Sequence, residues 1–352
     1  MLPSERRDFI YRYVHEYRTI SINILVKQES HMKVIITGGA GFLGQQLARA
    51  LLEDNHELNF DQLILTDIQR SISPVNDPRV QCLALDLTQA NAAEKLIDEN
   101  SIVLFHLAAI VSSHAENDFD LGLQVNFDVT RNLLAIARAK NPKLKLIFTS
   151  SLAVFGGELP ATITEQSAVN PQSSYGTQKA MCELLINDYS RKGYVDGRVL
   201  RLPTISVRPG KPNKAASSFA SGIIREPLHG ESSICPVSRD LTLWISSPET
   251  VIRNFIHATQ IPAEKFGLSR TVNLPGISVT VQGMIDALAE IAGQKTVDLI
   301  RFEPDENINR IVASWPGNFD ISHGLSLGFH ADGTFHDAIR AFIANNPPQK
   351  GG

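Results

Sequence analysis

Residues 33–44 read Lys-Val-Ile-Ile-Thr-Gly-Gly-Ala-Gly-Phe-Leu-Gly. Val34, Ile35 and Ile36 make the short apolar run of a strand buried on both faces. The run stops at Thr37, and glycines follow at Gly38, Gly41 and Gly44. Phe42, Leu43, Leu47, Leu51 and Leu52 then fall at helical spacing. Strand, glycine turn and helix in this order aim unpaired backbone N–H groups at whatever sits above the helix N-terminus. That is a cradle for a diphosphate, and it predicts the first βα turn of a dinucleotide-binding sheet. The glycine spacing, three and then three, differs from the tighter G-x-G-x-x-G pattern.

An acid follows where a ribose needs one. Leu63 to Asp67 reads as the second strand, and Asp67 stands about 20 residues past the glycines, the distance expected of a carboxylate on adenosine ribose hydroxyls. A carboxylate there repels a 2′-phosphate, and no arginine lies in the glycine loop, although Arg70 is near. NAD is therefore expected over NADP; otherwise Asp67 is a solvated strand end. Val80 to Leu85 is a third strand, and Asp86 after it either meets the adenine amino group or begins the next turn. Ile102 to Leu107 is a fourth, followed by Ala108 and Ala109, small enough for a cofactor to approach the backbone. His106 in that strand reads as a packed residue.

A helix is expected from about Asp118 to Lys140, a strand over Leu146–Ser151, a helix opening at Ser174, and a strand over Gly197–Arg201. This alternation predicts an α/β fold with a doubly wound parallel sheet. Past it, residues 203–240 are rich in Pro, Ser, Gly and basic residues. Ser247-Pro248-Glu249 is a helix start, and 272–274, 281–292, 297–302 and 335–345 read as strand, helix, strand and helix. The expected division is an extension over 1–31, a dinucleotide domain over 32–204, and mainly a smaller α/β substrate lobe over 205–348. The extension reads as an upstream start or a disordered segment, with a docking helix as the alternative.

Composition limits the partners. With 352 residues, 43% hydrophobic, 20% charged and a net charge of −4, the chain has the profile of a soluble globular protein without the basic excess of a nucleic-acid binder. Cys82, Cys182 and Cys235 lie far apart without metal-ligand spacing, which suits a reducing compartment, the cytoplasm, and no metal. No apolar run reaches membrane-spanning length.

Ser151 ends the fifth strand, at the sheet edge where such folds bind ligands. Tyr175 and Lys179 are one helical turn apart and project from one face. A cation beside a phenol favours the phenolate, so Lys179 is expected to lower the Tyr175 pKa from near ~10. Ser151 would hold a hydroxyl or carbonyl oxygen while Tyr175 exchanges its proton and a hydride passes to or from nicotinamide.

Thr37 to Gly44, His106-Leu-Ala-Ala109, Thr149-Ser-Ser151 and Tyr175-Gly-Thr-Gln-Lys179 together resemble the extended short-chain dehydrogenase/reductases, from about residue 32 to the end. The resemblance implies NAD contacts at Gly38, Gly41, Phe42, Leu43, Gly44, Asp67, Asp86, Leu87, Leu107, Ala108, Ala109, Tyr175, Lys179 and Pro203. It implies catalysis by Ser151, Tyr175 and Lys179, and often a homodimer through the helices near 118–140 and 174–192. Two positions depart from the family pattern: Val129 replaces a frequent glycine and Phe155 a frequent tyrosine. Arg208 to Ala220, Ile223 to Leu228 and Trp244 to Pro248 resemble, more narrowly, a branch that oxidises carbon 2 of D-erythronate with NAD. That implies a small sugar acid as substrate, whose carboxylate needs a guanidinium such as Arg208; the alternative is a solvated loop charge. Two other readings stay open: a nucleotide-sugar epimerase or dehydratase, and a non-catalytic NAD sensor.

Overall fold

Apolar strands with amphipathic helices between them can bury both sheet faces only in a three-layer arrangement. The computed structural model, which describes residues 31–53 and 58–346, has that architecture. The extension expected over 1–31 lies, His31 aside, outside the described residues. Strands β1 (Lys33–Thr37), β2 (Gln62–Asp67), β3 (Val80–Ala84), β4 (Ser101–His106), β5 (Lys145–Ser151) and β6 (Asp196–Leu202) are joined by β10 (Thr271–Asn273). All seven are parallel, in the order β3-β2-β1-β4-β5-β6-β10. Connections run outward one way from β1 and the other way from β4, which opens a crevice between the carboxyl ends of those two strands.

The pleat sends alternate residues to opposite faces. Val34 and Ile36 pack with Leu47 and Leu51 of α1 (Phe42–Leu52) and with Val251 and Phe255 of α6 (Pro248–Gln260). Ile35 packs the other way, with Leu133 and Leu134 of α3 (Val129–Lys140) and Ile186 of α4 (Ser174–Arg191). The helix expected from 118 to 140 is present with an irregularity: a π-type turn, Leu123–Asp128, precedes α3 and follows the short α2 (Ser112–Asn117) and a turn capped by Asp118.

The second lobe has a three-stranded sheet, β11 (Ile277–Thr280), β9 (Thr242–Ser246) and β7 (Thr204–Ile205), and a parallel pair, β8 (Ser233–Cys235) with β12 (Ile300–Phe302). Helices α5 (Phe219–Leu228), α7 (Val281–Ala292), α8 (Glu306–Ala313) and α9 (Phe335–Asn345) bury Ile223, Met284, Leu288, Ile311 and Ile339 against one another. The lobe is not one contiguous stretch. Helix α6 and strand β10 lie beyond residue 205, yet they cover one face and extend one edge of the large sheet. A division at 204/205 is therefore crossed twice, because β6 and the α1 face would otherwise stay open to water. The strand expected over 297–302 is shorter, since Gln294–Val297 forms a helical turn.

Candidate active site

The glycines build the cradle that their spacing implied. Gly38 has a φ of +73°, and a Cβ there would lie 2.8 Å from the Ala108 nitrogen. A Cβ on Gly44 would overlap the Gly38 carbonyl oxygen. Gly41 caps α1 with no side-chain hydrogen bond, so the N–H groups of Phe42 and Leu43 have no intrahelical acceptor and are available to a diphosphate. Asp67 sits at the rim, its carboxylate accepting from the Ala40 N–H (3.1 Å) and the Ile68 N–H (2.8 Å). These residues fit a dinucleotide. Replacing Asp67 with Ala should lower the NAD-to-NADP ratio of kcat/KM by about tenfold or more, the worth of one charged hydrogen bond. An unchanged ratio would remove Asp67 from the ribose.

Asp86 begins the next turn. Its carboxylate accepts from the Thr88 N–H (2.9 Å), the Thr88 hydroxyl (2.7 Å) and the Gln89 amide (3.1 Å). Those bonds hold its carboxyl below the usual range. Leu87 is partly buried against the core on the α3 face.

His106 joins the two strands at the crevice. Its Nε2 meets the Thr130 hydroxyl at 3.0 Å, and that hydroxyl donates to the Asn126 carbonyl at 2.9 Å. Nε2 must then be the donor. Nδ1 consequently accepts from the Thr37 hydroxyl (2.7 Å), whose oxygen in turn accepts from the Ala108 N–H (3.2 Å). Burial, with Lys179 nearby, pushes the imidazole down to about 3. His106 is a neutral structural link, as its sequence position suggested.

The cleft, about 210 Å³, is lined by Leu43, Leu107, Ala109, Ser151, Tyr175, Lys179, Pro203 and Arg208 among others. Helix α4 opens with Ser173, whose hydroxyl caps it by accepting from the Gly176 N–H. Gly176 is required by close approach: a Cβ there would overlap the Ala153 carbonyl oxygen. The contact draws Tyr175 against the end of β5, where Ser151 lines the same cleft. Lys179 is 1% exposed, donates to the Thr149 carbonyl at 2.7 Å and lies 5.7 Å from the Tyr175 ring centroid.

The electrostatics correct one expectation. The Tyr175 phenol is not lowered; burial pushes it up to about 12, and the nearby Ser151 side chain offsets only part of that. Lys179 spends its ammonium on the Thr149 carbonyl and is itself pulled down to about 8 by burial, with partial return from Cys182 and Glu183. Burial pushes the Cys182 thiol up to about 11, so it stays protonated near neutral pH.

Glu183 belongs to a buried network beneath the trio. Arg201 grips its carboxylate from Nε (2.9 and 3.1 Å) and from a terminal nitrogen (2.7 Å), and the Ser150 hydroxyl donates to it at 2.5 Å. Glu183 is 3% and Arg201 7% exposed. The pair ties α4 to the ends of β5 and β6. Glu183→Gln strands the guanidinium and should cost about 3–5 kcal/mol of stability. An unchanged urea midpoint would show that the pair is dispensable.

Other contributors carried no clear signal in the sequence. Asn126, buried in the π-type turn, clamps Ile110 through both its N–H (2.7 Å) and its carbonyl (3.0 Å) and donates to Gln178 at 2.7 Å. Ser112 on α2 accepts from the Ala216 N–H at 3.0 Å, drawing the second lobe onto the cleft. Trp315 lines the cleft from the turn after α8. Phe155 does not reach the cleft; it is fully buried, edge-on to Phe319 and under Arg201. Val129 is likewise a core residue.

Arg208 does reach the cleft. Helix α5 fixes its backbone from both sides: its N–H donates to the Ser221 hydroxyl (3.0 Å) and its carbonyl accepts from Arg225 (2.8 Å). Its Nε is buried with no partner among the described residues. Burial and the repulsion of Arg225 lower its pKa.

The family model described as the NAD dependent epimerase/dehydratase family matches residues 34–261, from β1 through α6. The D-erythronate dehydrogenase of Haemophilus influenzae is 58% identical over 312 residues, 89% of this chain and 99% of that protein. The D-erythronate dehydrogenase of Cupriavidus necator is 48% identical over 320 residues, 89% and 98% of the two chains. Among solved structures, a nucleoside-diphosphate-sugar epimerase from Agrobacterium tumefaciens superposes with a TM-score of 0.85 at 42% identity, covering 90% of this chain and 94% of that one. With its glycine cradle and parallel sheet, the chain belongs to the NAD dependent epimerase/dehydratase family.

Proposed function

We propose that the protein oxidises carbon 2 of a small sugar acid with NAD, D-erythronate foremost, giving 2-dehydro-D-erythronate. The observation that carries this is the Arg208 guanidinium: it lines the same cleft as Ser151, Tyr175 and Lys179, with a buried Nε that no group among the described residues satisfies. An unpaired buried donor on a cation costs free energy that an anionic ligand restores. The substrate carboxylate takes that place and turns the carbon 2 hydroxyl toward Ser151 and Tyr175. Ser151 holds the hydroxyl oxygen, Tyr175 accepts its proton, and Lys179 keeps positive charge beside the phenol. NAD, when bound, supplies the hydride acceptor and a positive ring that favours the phenolate. The two relatives at 58% and 48% identity support the choice of substrate.

A nucleotide-sugar epimerase is the second reading, favoured by the Agrobacterium structure's description. The two relatives at 58% and 48% identity, both D-erythronate dehydrogenases, disfavour it. The test is a panel of sugar acids of three to six carbons with NAD, read as NADH formation. Tight binding of a nucleotide sugar with no net NADH would favour the epimerase instead.

The same reading has two copies pairing through α4 and the helix ending in α3. Leu184 on α4 and Phe119 at the start of the other helix are 67% and 57% exposed, a cost that pairing would relieve. Three free thiols fit a cytoplasmic protein. No helix among the described residues is long and apolar enough to cross a membrane.

A further inference from the structure

Part of the cleft wall comes from residues whose side chains are small: Ala109, Ser112, Ser151, Thr204, Ala215 and Ser217. Trp315 is the one large aromatic among the lining residues besides Tyr175. It comes from the second lobe, where its N–H donates to the Val312 carbonyl at 3.1 Å at the end of α8. The indole packs against two hydrophobic clusters at once, that of the second lobe and that at the seam between the lobes.

The segment after Trp315 is fastened across the seam. The Asn318 carbonyl accepts from the Ile163 N–H (3.0 Å), and the Asp320 N–H donates to the Ile163 carbonyl (2.8 Å). The Asn318 amide adds bonds to the Ala161 carbonyl (3.1 Å) and the Thr162 hydroxyl (2.9 Å). Phe319 lies 5.0 Å from Trp244 and 5.9 Å from Phe155, centroid to centroid. Residues 161–163 belong to the connection between β5 and α4, the two elements that supply Ser151, Tyr175 and Lys179. The segment that follows Trp315 is thus tied to the connection between the elements that carry the reacting groups. A large side chain packed on two sides narrows the cleft, part of which the nicotinamide end of a dinucleotide must share.

We propose that Trp315 sets the chain length of the substrate, closing the cleft behind the end of a four-carbon sugar acid and excluding longer ones. The proposal rests on the sugar-acid reading and adds its size limit. Arg208 fixes one end of the acid, Ser151 and Tyr175 fix carbon 2, and the indole meets what extends beyond. Each additional hydroxymethylene must then displace a ring that is packed on two sides.

The test uses the full chain and its Trp315→Phe and Trp315→Ala variants. The substrates are D-erythronate and a six-carbon aldonic acid of the same configuration at carbons 2 and 3. Thermal melting and NADH titration check folding and the cofactor site. Trp315→Ala should lower the four-carbon to six-carbon ratio of kcat/KM by at least ~30-fold, within the range that one or two carbons of pocket space discriminate. Trp315→Phe should fall between the two, and it alone decides the matter if the alanine variant does not fold. Ratios within about threefold of wild type in every folded variant, with D-erythronate still oxidised, overturn the size limit and leave the sugar-acid reading standing. A wild type that oxidises no sugar acid overturns both.

Discussion

Tyr175→Phe is expected to lower turnover by roughly 10²–10⁴-fold while NAD binds within a few-fold of wild type. In the proposed reaction the phenol takes the proton of a hydroxyl held by Ser151, and both residues line the cleft. His106, which also titrates, is tied between Thr37 and Thr130 and held neutral down to about 3. Because the phenol of the protein alone stands at about 12, phenolate is scarce at neutral pH and oxidation should accelerate as pH rises. The sign follows from the base being the deprotonated form. In the Phe variant that rise should vanish along with the rate. Turnover within a few-fold of wild type would transfer the proton to another group.

At Arg208 the expected loss is next in size and selective in kind. Arg208→Ala should cut kcat/KM for D-erythronate by about 10²–10³-fold, since a charge-assisted, two-pronged bond to a buried carboxylate is worth several kcal/mol. Arg208→Lys should restore little, because an ammonium lacks the planar fork. Residual oxidation of an uncharged polyol of similar length should change far less. Selectivity is the informative part, since α5 holds Arg208 by its backbone, through Ser221 and Arg225, and the side chain can be removed without breaking those bonds. Equal losses on acid and polyol would make Arg208 a structural residue.

Much of the sheet could be read from the chain because β1 to β6 are short apolar runs punctuated by glycines and helix caps. Local pattern and final burial agree there. The cleft was less legible in proportion to how far its parts depend on tertiary contact. Helix α5 hides in a stretch rich in Ser, Gly and Pro, and its apolar face is recognisable only once Phe219, Ile223 and Ile224 meet α7. The role of α6 in the large sheet follows from which face remained uncovered, a property of the assembled layers. Asn126 gave no signal because a π-type turn aims it at Ile110. The Tyr175 pKa departs from the sequence expectation for a related reason: helical spacing shows that Lys179 is a neighbour, but not that Thr149 takes its ammonium or that burial outweighs its charge.

The most direct measurement is NADH formation by the purified protein given NAD and D-erythronate, with release of the 2-keto acid identified by mass. The account predicts stoichiometric NADH and 2-dehydro-D-erythronate, with little NADPH when NADP is supplied. No net NADH from any sugar acid, together with interconversion of a nucleotide sugar, would contradict it.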